Sequence, residues 1–522
     1  MQEPHIYPKG CAFSSLSDIA GKKITVMGLG LNGGGESSVR FFLRHGAIVT
    51  VTDFKTRAEL LPTIQSLDSD PSVDKSRLTY VLGSHRMQDF SYAYCVIKNP
   101  GVRYEGNEFL AAARAVETDL SVFLKFTEAP VIAVTGSKGK SSTVSAIHYG
   151  LTQCGFNAFL GGNITVNPLT FLEKTSRDTP VVLELSSWQL RDLRGRGLLK
   201  PHIAVITKIV PDHQNFYGGM DPYVDDKRLI YMDKSPSDYT IIDADPDGYL
   251  KESEAARNGD TGFSSWGDLF ASETKGKVLR YSKNPLDKDI PGAYQTQVNG
   301  ESVGMVRLEA GKDERVMGSL FVPGEHNRIN VLNAAMVMRI MGAEPERTEQ
   351  VLRTWRGIPH RLERFHEWGL SDDGHGKRDV IFYNDSAATV PEAAAAASQS
   401  FDTRVVLICG GTDKELDFLP LARTLHGECG TKFPPLGIYL VSGTGTDKLT
   451  GMLDERGVEY EGPFDSLEVL LGVLKNDIGP LSQRADAHIP VVFSPGATSF
   501  GMFANEFDRG NKFKSAVQNI FV

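Results

Sequence analysis

The chain has 522 residues, 41% of them hydrophobic, and a formal net charge of −9. That length suggests about three domains, each able to bury its own core, and the acidic balance argues against a general nucleic-acid binder, which would carry basic excess. No apolar run approaches the roughly 18 residues that span a bilayer, the opening MQEPHIYPKG is polar, and five scattered cysteines (Cys11, Cys95, Cys154, Cys409, Cys429) show neither CxxC nor metal spacing. The expectation is a cytoplasmic protein, off the membrane, that acts on small molecules.

From residue 22 to about 117, strand-like runs (KITVMGL, AIVTVTD, LTYVLG, YCVIKNPG) alternate with helical ones (SSVRFFLRHG, EFLAAARAVE), as in a small parallel α/β domain. Within ITVMGLGLNGG, Gly28, Gly30 and Gly33 follow a strand, and Asp53 ends the next one, which reads as a Rossmann βαβ unit. Alone, this motif admits a nicotinamide or flavin cofactor with Asp53 on the ribose, another nucleotide diphosphate, or a tight turn that binds nothing.

A second α/β run opens with VIAVTGSKGKSST, where a short apolar strand enters the turn Gly136-Ser137-Lys138-Gly139-Lys140-Ser141 and then a helix. This pattern is a phosphate cradle: backbone N–H groups wrap a triphosphate, Lys140 neutralises its β/γ oxygens and the Ser141 hydroxyl can hold Mg²⁺. A strict P-loop would carry glycine where Val134 stands. The runs PVVLELSS, PHIAVITKIV and DYTIIDAD read as buried parallel strands, and 260–320 as an antiparallel appendage. A helix over 325–341 closes this region, and GIPHRLERF forms a hinge to a third α/β unit with strands DVIFYND, RVVLICGG, LGIYLVSG and IPVVFSPG. SDDGHGKRD, at 371–379, reads as a flexible hairpin tip.

Glu184 closes an apolar strand, on the sheet edge where ligands bind, and a carboxylate there calls for a cation. A lone histidine after a strand is more often a loop hydrogen-bonder, and a lone lysine on a helix is usually solvated. Ser141, Glu184 and His213 nevertheless fall at strand ends of one sheet, with Lys227 nearby in DPYVDDKRLIYMDK, which favours a Mg²⁺ site.

VTGSKGKSS, LELSSWQL, PDHQNFY with DDKRLIY, GEHNRINVLNA, GIPHRLE, NDSAAT, GGTDKELDF and SPGATSF occur in an order that resembles the Mur ligase family, most of all its D-glutamate-adding branch. The DNPR signature of the meso-diaminopimelate-adding branch is missing, and Ser137-Lys138 stand where the L-alanine-adding branch carries a P-loop histidine. The resemblance implies an α/β, three-domain Mur ligase architecture: a Rossmann-like UDP-substrate domain over 1–118, a central P-loop ATPase domain over 119–357 with a parallel sheet plus a small antiparallel one, and a Rossmann-like amino-acid-binding domain over 358–522. It also implies a monomeric, cytoplasmic, ATP-dependent ligase of peptidoglycan precursor synthesis. Such an enzyme adds D-glutamate to UDP-N-acetylmuramoyl-L-alanine through an acyl phosphate, with no nucleic-acid or membrane partner.

Site residues carry over position by position. The UDP-substrate would lie near Leu31, Asn32, Asp53, Asn99, Pro100, Gly101, Asn163 and Ser186, and ATP on Gly136, Ser137, Lys138, Gly139, Lys140, Ser141 and Ser142. Asn327 and Asn330 fall on the adenine side, with Arg361 and Asp385 holding γ-phosphate and ribose. Lys140, Glu184, His213 and Lys227 would be catalytic. Of two Mg²⁺ (or Mn²⁺) ions, Ser141 would hold one, and Glu184, His213 and a carbamylated Lys227 the other. Thr389, Lys414, Ser499 and Phe503 would receive the amino acid, and His360 is a candidate to assist proton removal. One motif departs: the family reads DSKATN where this chain has Asp385-Ser386-Ala387-Ala388-Thr389-Val390. The pocket therefore lacks a lysine that Lys138, Lys414 or Arg191 could replace. D-glutamate in a rearranged pocket, another amino acid such as L-glutamate, and a non-catalytic nucleotide-binding scaffold all stay open.

Overall fold

A computed structural model of the chain describes residues 9–164, 166–246, 250, 263–369, 379–428, 430–485, 488–499 and 501–522. The hairpin tip expected at 371–379 lies, but for its last residue, outside the described residues, as does Cys429. Two compact units are formed, one from Met1–Ser319 and Ile329–Leu352, the other from Leu320–Arg328 and Arg353–Val522.

The first unit holds two sheets. Strands β1 (Lys23–Met27), β2 (Ile48–Asp53), β3 (Leu78–Leu82), β4 (Cys95–Lys98) and β5 (Val116–Glu117) form a parallel sheet in the order β3-β2-β1-β4-β5. The chain winds outward from β1 and then returns to β4, so the switch point opens between the C-terminal ends of β1 and β4. Gly28 and Asn99 leave those two ends.

The second sheet has nine strands: β6 (Val131–Thr135), β7 (Phe159–Gly162), β8 (Val181–Glu184), β9 (Ile203–Ile206), β10 (Tyr239–Asp243), β11 (Lys277–Ser282), β12 (Gly292–Val298), β13 (Glu301–Arg307) and β14 (Glu314–Met317), in the order β14-β13-β12-β11-β10-β9-β6-β8-β7. The antiparallel strands are thus not a sheet of their own. β11 pairs parallel with both β10 and β12, and only β12, β13 and β14 alternate in direction. Burial explains the change of texture: β6, β8 and β9 are buried at every position, whereas β12 and β13 carry exposed positions, as marginal strands facing water do. One apolar core runs through both sheets, joining Val26 and Val49 to Ala133 and Leu183 by way of Phe123 and Phe171. A fully buried ion pair, Arg196 with Glu117 at 2.7 Å, spans the same junction.

In the second unit, β15 (Glu363–Gly369), β16 (Asp379–Asn384), β17 (Val406–Cys409), β18 (Gly437–Val441), β19 (Glu461–Phe464) and β20 (Ile489–Phe493) are ordered β15-β16-β20-β17-β18-β19, parallel except for β15. Successive β16 residues serve opposite faces: Val380 and Phe382 pack with Leu470, Leu474 and Phe513, while Ile381 and Tyr383 pack with Ala394, Leu421 and Leu449. No helix among the described residues is long and apolar enough to cross a membrane.

Candidate active site

Strand β6 enters the turn Gly136–Gly139 and leaves it as the helix Lys140–Gln153. Two turn positions require glycine. A Cβ on Gly136 would stand 2.0 Å from Thr207 Oγ1, and one on Gly139, where φ is +93°, 2.4 Å from Asn330 Oδ1. Among the described residues no side chain caps this helix, and leading N–H groups left in this way can receive an anionic ligand. Ser141 and Ser142 sit half-buried in its first turn.

Cations gather on the loop. Lys140 Nζ donates to the carbonyls of Gly136 at 2.9 Å and Ser137 at 3.0 Å, and Lys227 Nζ reaches the same Gly136 carbonyl at 2.8 Å. Lys227, on the helix Met220–Met232, is only 1% exposed, with its ammonium 4.5 Å from the Tyr223 ring centroid. Burial, followed by repulsion from Lys140, pushes this ammonium well below the usual lysine range. Tyr223 also donates its hydroxyl to Ser137 Oγ at 2.9 Å, and Ser137 bridges to the Val210 backbone. Lys138 turns outward to Asp212, 3.2 Å away.

Glu184 ends β8 and is 2% exposed. Its Oε1 accepts from Asn163 Nδ2 at 2.9 Å, while Oε2 is buried with no hydrogen-bond partner among the described residues. A buried carboxylate oxygen without a donor is costly, and a cation relieves that cost. His213 is exposed at φ +52°, its ring 5.1 Å from Trp188 and 6.3 Å from Tyr223, whose ring lies against Lys227. Among the described residues no three His, Cys, Asp or Glu side chains converge as a metal group. The candidate set contains only Glu184 and His213 of those types, and Mg²⁺ commonly completes its octahedron with water and substrate phosphates.

In the first sheet, Leu31 is 50% exposed and Asn32 is exposed beside it. Asp53 does not reach out as a ribose ligand would: Oδ2 accepts the N–H groups of Leu29 and Gly30 at 2.9 and 3.1 Å, and Oδ1 that of Lys55 at 2.9 Å. Asn99 folds its Oδ1 onto the Gly101 N–H at 3.1 Å. Ser186 caps the helix Ser187–Asp192 in a capping box with Gln189. A cavity of about 860 Å³ continues from Pro100 and Gly101 past Tyr104 to Trp188, Arg191 and Phe216. Arg191 pairs with Glu105 at this cavity, and buried Lys98 with Asp192 at 2.8 Å.

In the second unit, burial raises the Asp385 carboxyl to about 6, against the opposing hydrogen bonds from Ser494 Oγ at 2.6 Å and the Leu362 N–H at 3.1 Å. Arg361 is exposed, Thr389 half-buried and Lys414 exposed. Ser499 is buried and accepts the Phe503 N–H at 3.2 Å. His360 Nδ1 meets Asn384 Nδ2 at 2.9 Å, and burial lowers its imidazole below the ordinary range. Asn327 also falls in this unit, donating to the Pro323 carbonyl at 2.8 Å, whereas Asn330 lies in the first unit, 3.3 Å from Thr143 Oγ1. Sequence reasoning missed Tyr223. Its i, i+4 spacing to Lys227 was the available signal.

A cradle for a polyanion, two lysines on one carbonyl and an orphaned carboxylate at adjoining strand ends are the equipment of an ATP-dependent ligase. The chain matches the Mur ligase middle domain over residues 134–338 and the MurD-like Mur ligase N-terminal domain over 22–119, and it belongs to the Mur ligase family. It is 39% identical to the UDP-N-acetylmuramoylalanine–D-glutamate ligase of Treponema pallidum, over 96% of this chain and 98% of the relative, and 36% identical to that of Borreliella afzelii, over 96% and 99%. Its fold is shared with the crystal structure of the UDP-N-acetylmuramate–alanine ligase MurC from Thermotoga maritima, with a TM-score of 0.52 at 17% identity over 95% of this chain and 99% of that one.

Proposed function

We propose that this chain joins D-glutamate to UDP-N-acetylmuramoyl-L-alanine as an amide, at the expense of ATP. The observation that carries this reading is the convergence of Lys140 and buried Lys227 on the Gly136 carbonyl, at the mouth of a helix whose N–H groups face no side-chain cap.

A carboxylate resists attack by an amine until one of its oxygens becomes a leaving group. The alanyl carboxylate attacks the γ-phosphate, breaking the bond to ADP and forming an acyl phosphate. The glutamate amine then attacks the acyl carbon, loses a proton, and expels inorganic phosphate. Lys140 neutralises charge on the transferring phosphoryl group, and the loop N–H groups orient it. Mg²⁺, when bound, shields phosphate charge and polarises the reacting oxygens. Ser141 would hold one ion, and Glu184, His213 and Lys227 a second, Mn²⁺ being acceptable to the same donors. The buried Lys227 ammonium is disposed to lose a proton, and the neutral amine so formed would suit addition to CO₂, giving a carbamate with release of a second proton from nitrogen. Asn163 fixes Glu184 so that its second oxygen stays available.

The UDP portion would occupy the switch point near Leu31, Asn32 and Asn99–Gly101, with the muramyl-alanine arm in the adjoining cavity. Asp53 acts there by shaping the loop. In the second unit, Thr389, Lys414, Ser499 and Phe503 would receive D-glutamate, while Arg361 and Asp385 serve the nucleotide. The chain would work as a monomer in the cytoplasm.

The test is phosphate release from MgATP and UDP-N-acetylmuramoyl-L-alanine with D-glutamate, L-glutamate or no amino acid. Release that depends on D-glutamate is expected. Release only with another amino acid overturns the substrate, and no release at all overturns the ligase.

A further inference from the structure

The cavity beside the first sheet is walled on one side by the segment 100–107, which follows β4, and on the other by the helices Ser187–Asp192 and Gln214–Tyr217. Four cations line it, Lys98, Arg103, Arg191 and Arg194, and two of them are firmly neutralised. Lys98, 2% exposed, pairs with Asp192 at 2.8 Å and donates to the Val102 carbonyl at 2.9 Å, which fixes the root of the segment. Arg194 Nη2 donates to both Asp225 and Asp226, each 2.7 Å away.

The other two are loosely held. Arg103 is exposed and lays its guanidinium 4.2 Å from the Phe216 ring centroid, with no carboxylate partner among the described residues. Arg191 meets Glu105 in a pair whose side chains are 31% and 48% exposed. A pair so exposed is screened by water and contributes little to stability. Glu108, the remaining acid of the lining besides Asp192, is exposed and pairs with neither arginine among the described residues. Two guanidinium groups are thus set at the cavity against one weakly held carboxylate.

The rest of the lining suits a long ligand with an anionic group. Tyr104, Trp188 and Phe216 offer ring faces for the apolar face of a sugar, and the Trp188 ring stands 5.1 Å from that of His213. The cavity therefore runs from the switch point toward the candidate metal side chains. A guanidinium fork takes two oxygens of a phosphate or a carboxylate together. Phe216 steadies Arg103 without neutralising it, since a ring face attracts the cation and leaves its N–H edge for an acceptor.

We propose that Arg103 and Arg191 form a clamp for an anionic group of the UDP-substrate, its diphosphate or its alanyl carboxylate, and that Glu105 holds the place of that group on Arg191 until it arrives. This rests on the reading of the chain as a ligase acting on a UDP-sugar peptide. Glu105 then competes with the ligand, so the two arginines and the glutamate affect affinity in opposite directions.

The experiment is calorimetric titration of the full chain, and of R103Q, R191Q and E105Q, with UDP-N-acetylmuramoyl-L-alanine in the presence of Mg²⁺ and a non-hydrolysable ATP analogue, beside titration with that analogue alone. R103Q and R191Q are each expected to raise Kd for the UDP-substrate about tenfold, and E105Q to lower it about two- to fivefold, with Kd for the ATP analogue within about twofold throughout. Two further ligands separate the sources of the anion. If the clamp takes the alanyl carboxylate, the loss in R103Q disappears with a substrate ending in alaninamide; if it takes the diphosphate, the loss persists there and appears with UDP alone. A change under about twofold in both arginine variants, weaker binding by E105Q, equal weakening toward the ATP analogue, or a loss that follows neither anionic group overturns the proposal. An unaltered protein that neither binds the UDP-substrate nor releases phosphate with it loses the parent reading first, and this one with it.

Discussion

Two glycine-rich turns in the first unit each lead from a parallel strand into a helix, and they solve opposite electrostatic problems. The turn after β1 already holds an anion, because Asp53, 24 residues on, lays its carboxylate across the N–H groups of Leu29 and Gly30. The turn after β6 meets an ammonium that arrives from 91 residues away, Lys227, beside its own Lys140. One turn is served by the protein's own carboxylate, and the other by two of its ammonium groups. The glycine pattern cannot distinguish them, since the deciding residue comes from elsewhere in the chain.

The contrast breaks first at Lys140. K140M is expected to lower phosphate release about 10²–10³-fold, the usual cost of removing a charge aimed at a transferring group, and a loss under about threefold would equate the two turns. K227A should cost about 10–100-fold, and its residual rate should ignore bicarbonate, whereas the unaltered protein slows in CO₂-stripped buffer and recovers on re-addition. Geometry matters less than charge here. G139A puts a Cβ into a left-handed position worth about 1–2 kcal/mol, so KM for ATP should rise about tenfold while KM for the UDP-substrate stays put. D53N should do the reverse, weakening the UDP-substrate and lowering stability by about 1–2 kcal/mol in chemical denaturation while leaving KM for ATP unchanged.

A third carboxylate gives the smallest effect. Asp385 receives one N–H and one hydroxyl, and burial outweighs both, holding it at about 6. Between the ordinary aspartate value near 3.8 and about 6, the folded protein holds a proton that the unfolded chain has released, so this group's contribution to stability falls as pH rises through that window. The thermal midpoint of the unaltered protein relative to D385N should drop by about 2–4 °C between roughly pH 4.5 and 6.5, and a flat difference would contradict the assignment.

Much of the fold was legible because its strands are continuous apolar runs closed by polar or glycine residues: β6, β8, β9, β16, β17 and β20 all fall where such runs predict them. Period alone could not show that β11 joins the parallel sheet, since a short run between charged turns looks the same in either direction. The glycine-rich turn between β6 and its helix was legible as a local motif. The partners that define its chemistry were not: Asn330 against Gly139, Tyr223 on Ser137 and Asn163 on Glu184 are contacts between separate segments. Lys227 illustrates the limit, because a helical lysine is ordinarily solvated and only packing reveals this one as buried. Asp53 lies at its strand end as expected, and the inward turn of its carboxylate onto its own loop was not legible in the motif.

The buried pair of Glu117 and Arg196 also has a temporal side. Glu117 completes the first sheet, accepting from the Ala12 N–H at 2.8 Å and from Ser121, but its counter-charge lies 79 residues further along the chain. At a ribosomal pace of roughly 5–20 residues per second, those 79 residues take about 4–16 s to emerge. Throughout that interval the nascent first sheet carries a carboxylate it cannot yet bury as an ion. A fragment ending before Arg196 would keep the hydrogen bonds to Glu117 and lack its counter-charge.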